Sequence, residues 1–259
     1  MAETYEKDGL IYCAKCNAPL QHKYELNGEQ HIVRVKCNCS ENQRVAEETE
    51  KSYIIKQERI KEAREAAFCD KRLLEYTFDK DDGANGKMSI ASVNYVKHFD
   101  VFLQEGKGIL FFGGVGVGKT FYAGCIANAL IDAGYTVIFT NFIAIANEMF
   151  ANKSKQEYIE KLSKCDLLIL DDLASERDTE YMGELVQTII DKRYMNRKPI
   201  IITTNLTSLE LRKPKEIRQQ RIYSRIYEMC LCLEIEGQDR RRVNLHNDYE
   251  KMKKLLEIA

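Results

Sequence analysis

Short apolar runs frame the central part of the chain. Ile109 to Phe112, Thr136 to Thr140, Leu167 to Leu170 and the Ile-Ile-Ile run inside Pro199 to Asn205 lack polar alternation and end in glycine or polar residues. That pattern predicts strands buried on both faces. The stretches between them, Thr120 to about Ala133, residues 142 to 164 and about Asp178 to Met195, have helical spacing, and Gly134 stops the first. Strands alternating with helices give a parallel sheet with crossover helices. A loop, Asp79 to Gly86, and one helix from about Ser89 to Gln104 lead into the first strand, and Cys230 to Ile235 forms the last. Cys230 and Cys232 alternate there with apolar residues and are expected in the core.

The first 70 residues follow another pattern. Gln21 to Lys36 alternates weakly around Asn27-Gly28, a hairpin signal. Cys13-x-x-Cys16 precedes this hairpin and Cys37-x-Cys39 follows it. Two thiolate pairs brought opposite each other by a hairpin make a tetrahedral Zn²⁺ site, close to a ribbon pattern although the second pair is one residue short. His22 and His31 lie in the hairpin and offer substitutes for a cysteine, against the plainer reading of solvated strand residues. Residues 40 to 68 are rich in Glu, Lys, Arg and Gln with too few apolar positions for a heptad, so they read as a solvated helix. The expected division is a zinc-binding module (1–40), a helical connector (41–70) and an α/β core (71–259).

Composition removes several classes. The chain has 259 residues, enough for a large core, and Lys plus Arg number 39 against 40 Asp plus Glu. No global field drives nucleic-acid binding, so any such contact rests on a local patch. No apolar run approaches the roughly eighteen residues of a membrane span, and Met1 to Gly9 is polar, unlike a signal peptide. We expect a soluble cytoplasmic protein with no membrane partner. Nine cysteines, an odd number in a chain that is not small, read as thiols or metal ligands rather than disulfides.

The chemistry gathers after the first strand. Gly113, Gly118, Lys119 and Thr120 occupy every fixed position of G-x-x-x-x-G-K-[ST]. Strand, glycine-rich loop and helix in that order cradle the phosphates of a nucleotide such as ATP. Gly113, Gly114, Val115, Gly116, Val117, Gly118, Lys119, Thr120 and Phe121 are the expected nucleotide contacts. Lys119 is expected at the β- and γ-phosphates and the Thr120 hydroxyl on Mg²⁺. Asp171 and Asp172 end an apolar strand on the same sheet edge; Asp171 is expected to hold Mg²⁺ through water and Asp172 to orient or deprotonate the attacking water. Asn205, or Thr204, is expected beside the γ-phosphate. Arg218, Arg221 and Arg225 share a helix face, which either solvates that helix or supplies an arginine across a subunit interface.

With these pieces placed, residues about 70 to 245 resemble the AAA+ ATPases of the DnaC/DnaI helicase-loader family and the related IstB transposition helpers. The matching stretches are Tyr76-Thr-Phe78, the phosphate loop, Leu167 to Leu173, Asp191-Lys-Arg-Tyr194, Ile202 to Leu206, Arg221 to Arg225 and Gly237 to Arg241. The resemblance implies a P-loop AAA+ three-layer sandwich with a parallel central sheet, preceded by a small zinc-ribbon-like module and a helical connector. It further implies a switch driven by ATP and Mg²⁺ that binds a replicative DnaB-type helicase, contacts single-stranded DNA and self-associates through the core. Arg225 resembles the trans-acting finger and Asn205 the sensor on the central strand. Arg241 resembles the second, cis-acting arginine, with Arg240 as the alternative because Asp239-Arg240-Arg241 departs from the usual residues there. Asp172, where many relatives have Glu, implies slow hydrolysis. Cys13, Cys16, Cys37 and Cys39 resemble the zinc ligands of a helicase-docking module. The implied function is loading of a replicative helicase onto single-stranded DNA in a bacterial cell, chromosomal or phage-encoded. The rivals are an IstB-like helper of a transposase and a metabolic nucleotide-dependent kinase or synthetase, for whose second substrate pocket with a lid domain the chain after Ile235 is too short.

Overall fold

The structure, a computed structural model, describes residues 4–151, 154–173, 180–214 and 216–241, together with 249, 252, 253, 255 and 256. The start of the helix expected from Asp178 and the third arginine of the run, Arg242, lie outside the described residues. The chain divides into two compact units, residues 1–59 and 60–259.

The first unit opens with two antiparallel hairpins, β1 (Thr4–Lys7) with β2 (Leu10–Cys13) and β3 (Gln21–Leu26) with β4 (Glu29–Arg34). Each turns on two residues at positive φ, Asp8-Gly9 and Asn27-Gly28, the dipeptides that a type I′ turn selects. The second hairpin is the expected one. The first was not anticipated, although Asp8-Gly9 carries the same signal. Helix α1 (Asn38–Ala67, 30 residues) then runs about 45 Å at 1.5 Å per residue. Its length is mostly charged and exposed, as expected for residues 40 to 68, with Val45, Tyr53, Ile54 and Ile55 also exposed on it; its last turns, from Ile60, belong to the second unit, where Ile60 and Ala67 join the core.

The second unit is a five-stranded sheet in the order β6-β7-β8-β5-β9, every neighbouring pair parallel. The strands are β5 (Gly108–Phe112), β6 (Val137–Asn141), β7 (Leu167–Leu173), β8 (Ile200–Thr204) and β9 (Cys230–Glu234). Side chains alternate between its faces. Leu110, Leu168, Leu170, Ile200 and Ile202 enter one core with helices α5 (Phe142–Ala151), α6 (Lys155–Lys164), α7 (Glu180–Met195) and α9 (Ile217–Met229). Ile109, Phe111, Leu167, Ile169 and Ile201 enter the other with α2 (Gly86–Lys97), α3 (Phe99–Glu105) and α4 (Lys119–Asp132). This is the expected three-layer sandwich; a short α8 (Ser208–Arg212) follows β8.

Two expectations are corrected. The single helix from Ser89 to Gln104 is two helices broken at His98, whose φ of −110° and ψ of 22° leave the helical region. Phe99, four positions on, meets Tyr95 at a ring-centroid distance of 5.7 Å, and the break also brings Phe102 onto Tyr95 at 4.5 Å, whereas seven positions of one straight helix would hold those two about 10 Å apart along its axis. Cys232 is exposed rather than in the core, because β9 is the last strand of the sheet and only Cys230 of this pair is covered.

Candidate functional site

The site is built where β5, β7 and β8 end at one edge of the sheet, the place where parallel α/β sheets bind ligands. Between β5 and α4 the chain turns through left-handed backbone, Gly113 at φ 139° and Gly116 at φ 76°. A Cβ on Gly113 would stand 2.3 Å from the Ile235 carbonyl oxygen, and one on Gly116 1.8 Å from an oxygen of Asp239. Neither position admits a side chain without displacing the segment after β9. The loop therefore delivers Lys119 and Thr120 as the first residues of α4, at the positive end of that helix.

Lys119 is 5% exposed. Its Nζ donates to the carbonyls of Gly113 (3.0 Å) and Gly114 (2.6 Å) and to Asn205 Oδ1 (2.7 Å). Burial draws its proton affinity below that of an ordinary lysine, the carboxylates of Asp172 and Asp171 oppose that shift, and Arg241 adds to it. The Thr120 hydroxyl donates to Asp171 Oδ1 at 3.0 Å, and Thr203 donates to the same oxygen at 2.6 Å. Asp171 is held above the usual carboxylate range, first by burial and further by Asp172, with hydrogen bonds from Thr203 and Thr120 in opposition. A buried carboxylate beside a hydroxyl, both oxygen donors, is a suitable ligand set for Mg²⁺. Asp172 interrupts the register of β7 against β8 and sits at φ 57°, left-handed backbone for a residue with a Cβ. Its backbone N–H is fixed on Thr203 Oγ1 at 2.9 Å. Local strain of this kind costs about 1–3 kcal/mol and collects at functional sites.

These groups border a cavity of about 630 Å³ that takes in Val115 to Phe121, Asp172, Asn205, Arg240 and Arg241. One wall was not anticipated. Tyr76, Lys80, Asp82 and Asn85 line it, yet the sequence showed Asp79 to Gly86 only as a loop. Thr203 was likewise missed; a hydroxyl inside an apolar strand is its only signal.

Two other expected groups lie apart from this cavity. Arg225 does not line it; its guanidinium bonds to Asp191 of α7 and lies 5.8 Å from the centre of the Tyr194 ring. Arg218, Arg221 and Arg225 do share α9. In the first unit Cys13, Cys16, Cys37 and Cys39 converge, with their sulfurs all within 4.8 Å of one another. The Cys39 thiol is pushed up to about 11, first by its hydrogen bond with Cys16, then by desolvation and by the other three sulfurs. Thiolates so crowded repel one another, and a tetrahedral cation relieves that repulsion. The spacing fits zinc. Neither histidine joins the four: His31 stacks on Tyr24 at 5.5 Å and His22 is exposed on its strand.

Fold and site together define a P-loop ATPase domain of the AAA+ class. The chain belongs to the IstB-like ATP binding protein family, whose sequence profile matches residues 38–247. Among curated proteins it is similar to the replicative helicase loader DnaI of Bacillus subtilis, 24% identical over 207 residues that cover 74% of this chain and 66% of DnaI. A putative insertion sequence ATP-binding protein of Sinorhizobium fredii is 35% identical over 138 residues, 52% of this chain and 45% of that protein. The replicative helicase loader DnaC of Escherichia coli is 28% identical over 124 residues, 46% and 49% of the two chains. The matches thus span between 45% and 66% of the relatives' length. The crystal structure of the DnaC helicase loader superposes with a TM-score of 0.55 at 27% identity, covering 64% of this chain and all of that one. That of DnaI gives 0.56 at 23% identity, covering 67% and 95%. The resemblance noted in the sequence is borne out. Among the described residues, no helix is long and apolar enough to cross a membrane.

Proposed function

We propose that this chain is an ATP-hydrolysing loader that places a DnaB-type replicative helicase on single-stranded DNA in the bacterial cytoplasm. The observation that carries the reading is the pairing of a complete phosphate-loop site with a separate four-cysteine module. A nucleotide switch needs only the core; a second compact unit with its own metal provides a place to hold a partner. The similarity to DnaI and DnaC supports the same reading.

In this account Lys119 neutralises the β- and γ-phosphates, and Thr120 and Asp171 hold Mg²⁺, which when bound offsets the charge between those phosphates. Asp172 orients the attacking water, and Asn205, already on the Lys119 ammonium, senses the γ-phosphate. Arg241 acts in cis, since it lines the same cavity as Lys119. Arg225 acts on a neighbour's nucleotide, which requires assembly through the core. Cys13, Cys16, Cys37 and Cys39 hold one zinc ion. Hydrolysis serves to change affinity for DNA and helicase rather than to make a product.

The insertion-sequence relative, 35% identical, favours a second reading, an ATPase helper of a transposase. Affinity capture with the purified helicase and, separately, a transposase from the same genome discriminates them. Nucleotide-dependent retention of the helicase, with ATP turnover raised by single-stranded DNA, is the expected result; retention of the transposase alone would establish the second reading.

A further inference from the structure

After β9 the chain does not leave the sheet edge but crosses the nucleotide cavity. Ile235 N–H donates to the Phe112 carbonyl at 2.8 Å, and Arg240 N–H donates to the Gly116 carbonyl of the phosphate loop at 3.1 Å. Residues 236 to 241 are thereby pinned at both ends. Along this course they face the loop before α2. The cavity has Asp82, Ala84 and Asn85 on one side and Gly237, Gln238 and Arg240 on the other.

Two fastenings join these walls. Asn85 Nδ2 donates to the Glu236 carbonyl at 3.3 Å, and the Arg240 guanidinium bonds to the Asp82 carboxylate, residues 158 positions apart in sequence. Both partners of the ion pair are anchored. Asp82 Oδ1 also accepts the Ala84 N–H at 3.0 Å, and the preceding Asp81 accepts from Gly83 N–H and from the Ser89 hydroxyl on α2. Arg240 has its own backbone on Gly116. An ion pair between two fixed points loses little of the side-chain entropy that makes most surface pairs ineffective. Arg240 is therefore committed to the opposite wall of the cavity, while Arg241 lines it beside Lys119.

We propose that residues 236–241 are a strap over the nucleotide cavity, that the Arg240–Asp82 pair is its clasp, and that the clasp sets how long a bound nucleoside di- or triphosphate stays. Arg240 and Asp82 are positioning residues in this arrangement. The inference rests on the ATPase reading, because the cavity has to be the nucleotide's.

Release of a fluorescent ADP analogue from the full-length protein, chased with excess ATP in a stopped-flow instrument, tests it. Asp82→Asn and Arg240→Gln should each speed release about two- to fivefold, the range expected of a well-placed but partly exposed pair. The reversed pair, Asp82→Arg with Arg240→Asp, should bring release back to near the wild-type rate. Rising salt should narrow the gap between wild type and the single variants. Unchanged release in both single variants, or a reversed pair no slower than the singles, overturns the clasp. So does loss of all nucleotide binding in Arg240→Gln alone, which would make Arg240 a direct phosphate ligand. A wild-type chain that takes up no analogue would instead sink the ATPase reading on which the clasp rests.

Discussion

Lys119 and Asp171 are held in the site by different kinds of partner. The ammonium is gathered by two loop carbonyls and Asn205, while the carboxylate is gathered by two hydroxyls. Lys119→Ala should weaken nucleotide binding and abolish turnover. Asp171→Asn should keep some nucleotide but lose Mg²⁺-dependent hydrolysis by about a hundredfold or more, the scale of removing one preorganised electrostatic group. Turnover assays with parallel nucleotide-binding titrations check both, and wild-type rates in either variant would refute the assignment. Arg193 poses a different problem at the same scale. It is fully buried, and its guanidinium donates to the Cys165 carbonyl at 2.6 Å and to the Pro199 carbonyl, where β7 and β8 are about to begin. Burial lowers its proton affinity, yet these carbonyls have no replacement donor if it goes. Arg193→Met should cost about 2–4 kcal/mol of stability, read from urea denaturation of the core, with nucleotide contacts otherwise intact. In sequence Arg193 is one more charge on a helix. Nothing in its spacing marks it as buried, because its role depends on carbonyls outside its own helix, Cys165 28 positions before it and Pro199 six after.

At the scale of elements, what was legible followed from local chemistry. The glycine-rich loop, the Asn27-Gly28 hairpin and the buried strands declare themselves because backbone conformation and burial on both faces restrict which residues fit. The break at His98 did not, since the pattern through Tyr95, Phe99 and Phe102 is compatible with one helix until those rings have to meet. The partner of Arg225 was hidden for a similar reason: Asp191 is on another helix, and only the packing of α7 on α9 brings the two together. That pairing bears on the proposed trans role, because Arg225 has to exchange Asp191 for a neighbour's phosphate. Mixing inactive Lys119→Ala chains with inactive Arg225→Ala chains should restore part of the turnover, since some interfaces then join an intact loop to an intact finger. No rescue in assemblies confirmed by light scattering would exclude trans action. The cysteine module is open to an equally direct measurement. Elemental analysis should find about one zinc per chain, lost in Cys13→Ser and in Cys37→Ser. Chelation should unfold the first unit while the sheet of the second persists, because two exposed hairpins have little core of their own. A metal-free first unit that remains folded would refute the assignment.

For the whole molecule, the question is which unit holds the partner. The sequence placed the connector at 41 to 70, from charge alone. In the structure the last turns of α1, from Ile60, are part of the second unit: Ile60 packs on its core, Ala67 is buried, and Arg64 bonds to Asp132 of α4 at 2.6 Å. A cut near Phe68 would strip these contacts and expose the apolar surface they cover, so a fragment beginning at Ile60 is the better separation. If the cysteine module docks the helicase and the core is the ATP and single-stranded DNA machine, that fragment should bind nucleotide as the full chain does but fail to retain the helicase. Its DNA binding should be weak and fall steeply with salt, because a chain of net charge −1 has only local Lys and Arg contacts to offer the phosphates. Pull-down of the helicase by full-length and truncated protein at matched nucleotide occupancy decides the matter. Equal recovery would place the docking surface on the ATPase core. Recovery by the full chain alone, abolished also by Cys13→Ser in the full chain, would place it on the folded four-cysteine unit.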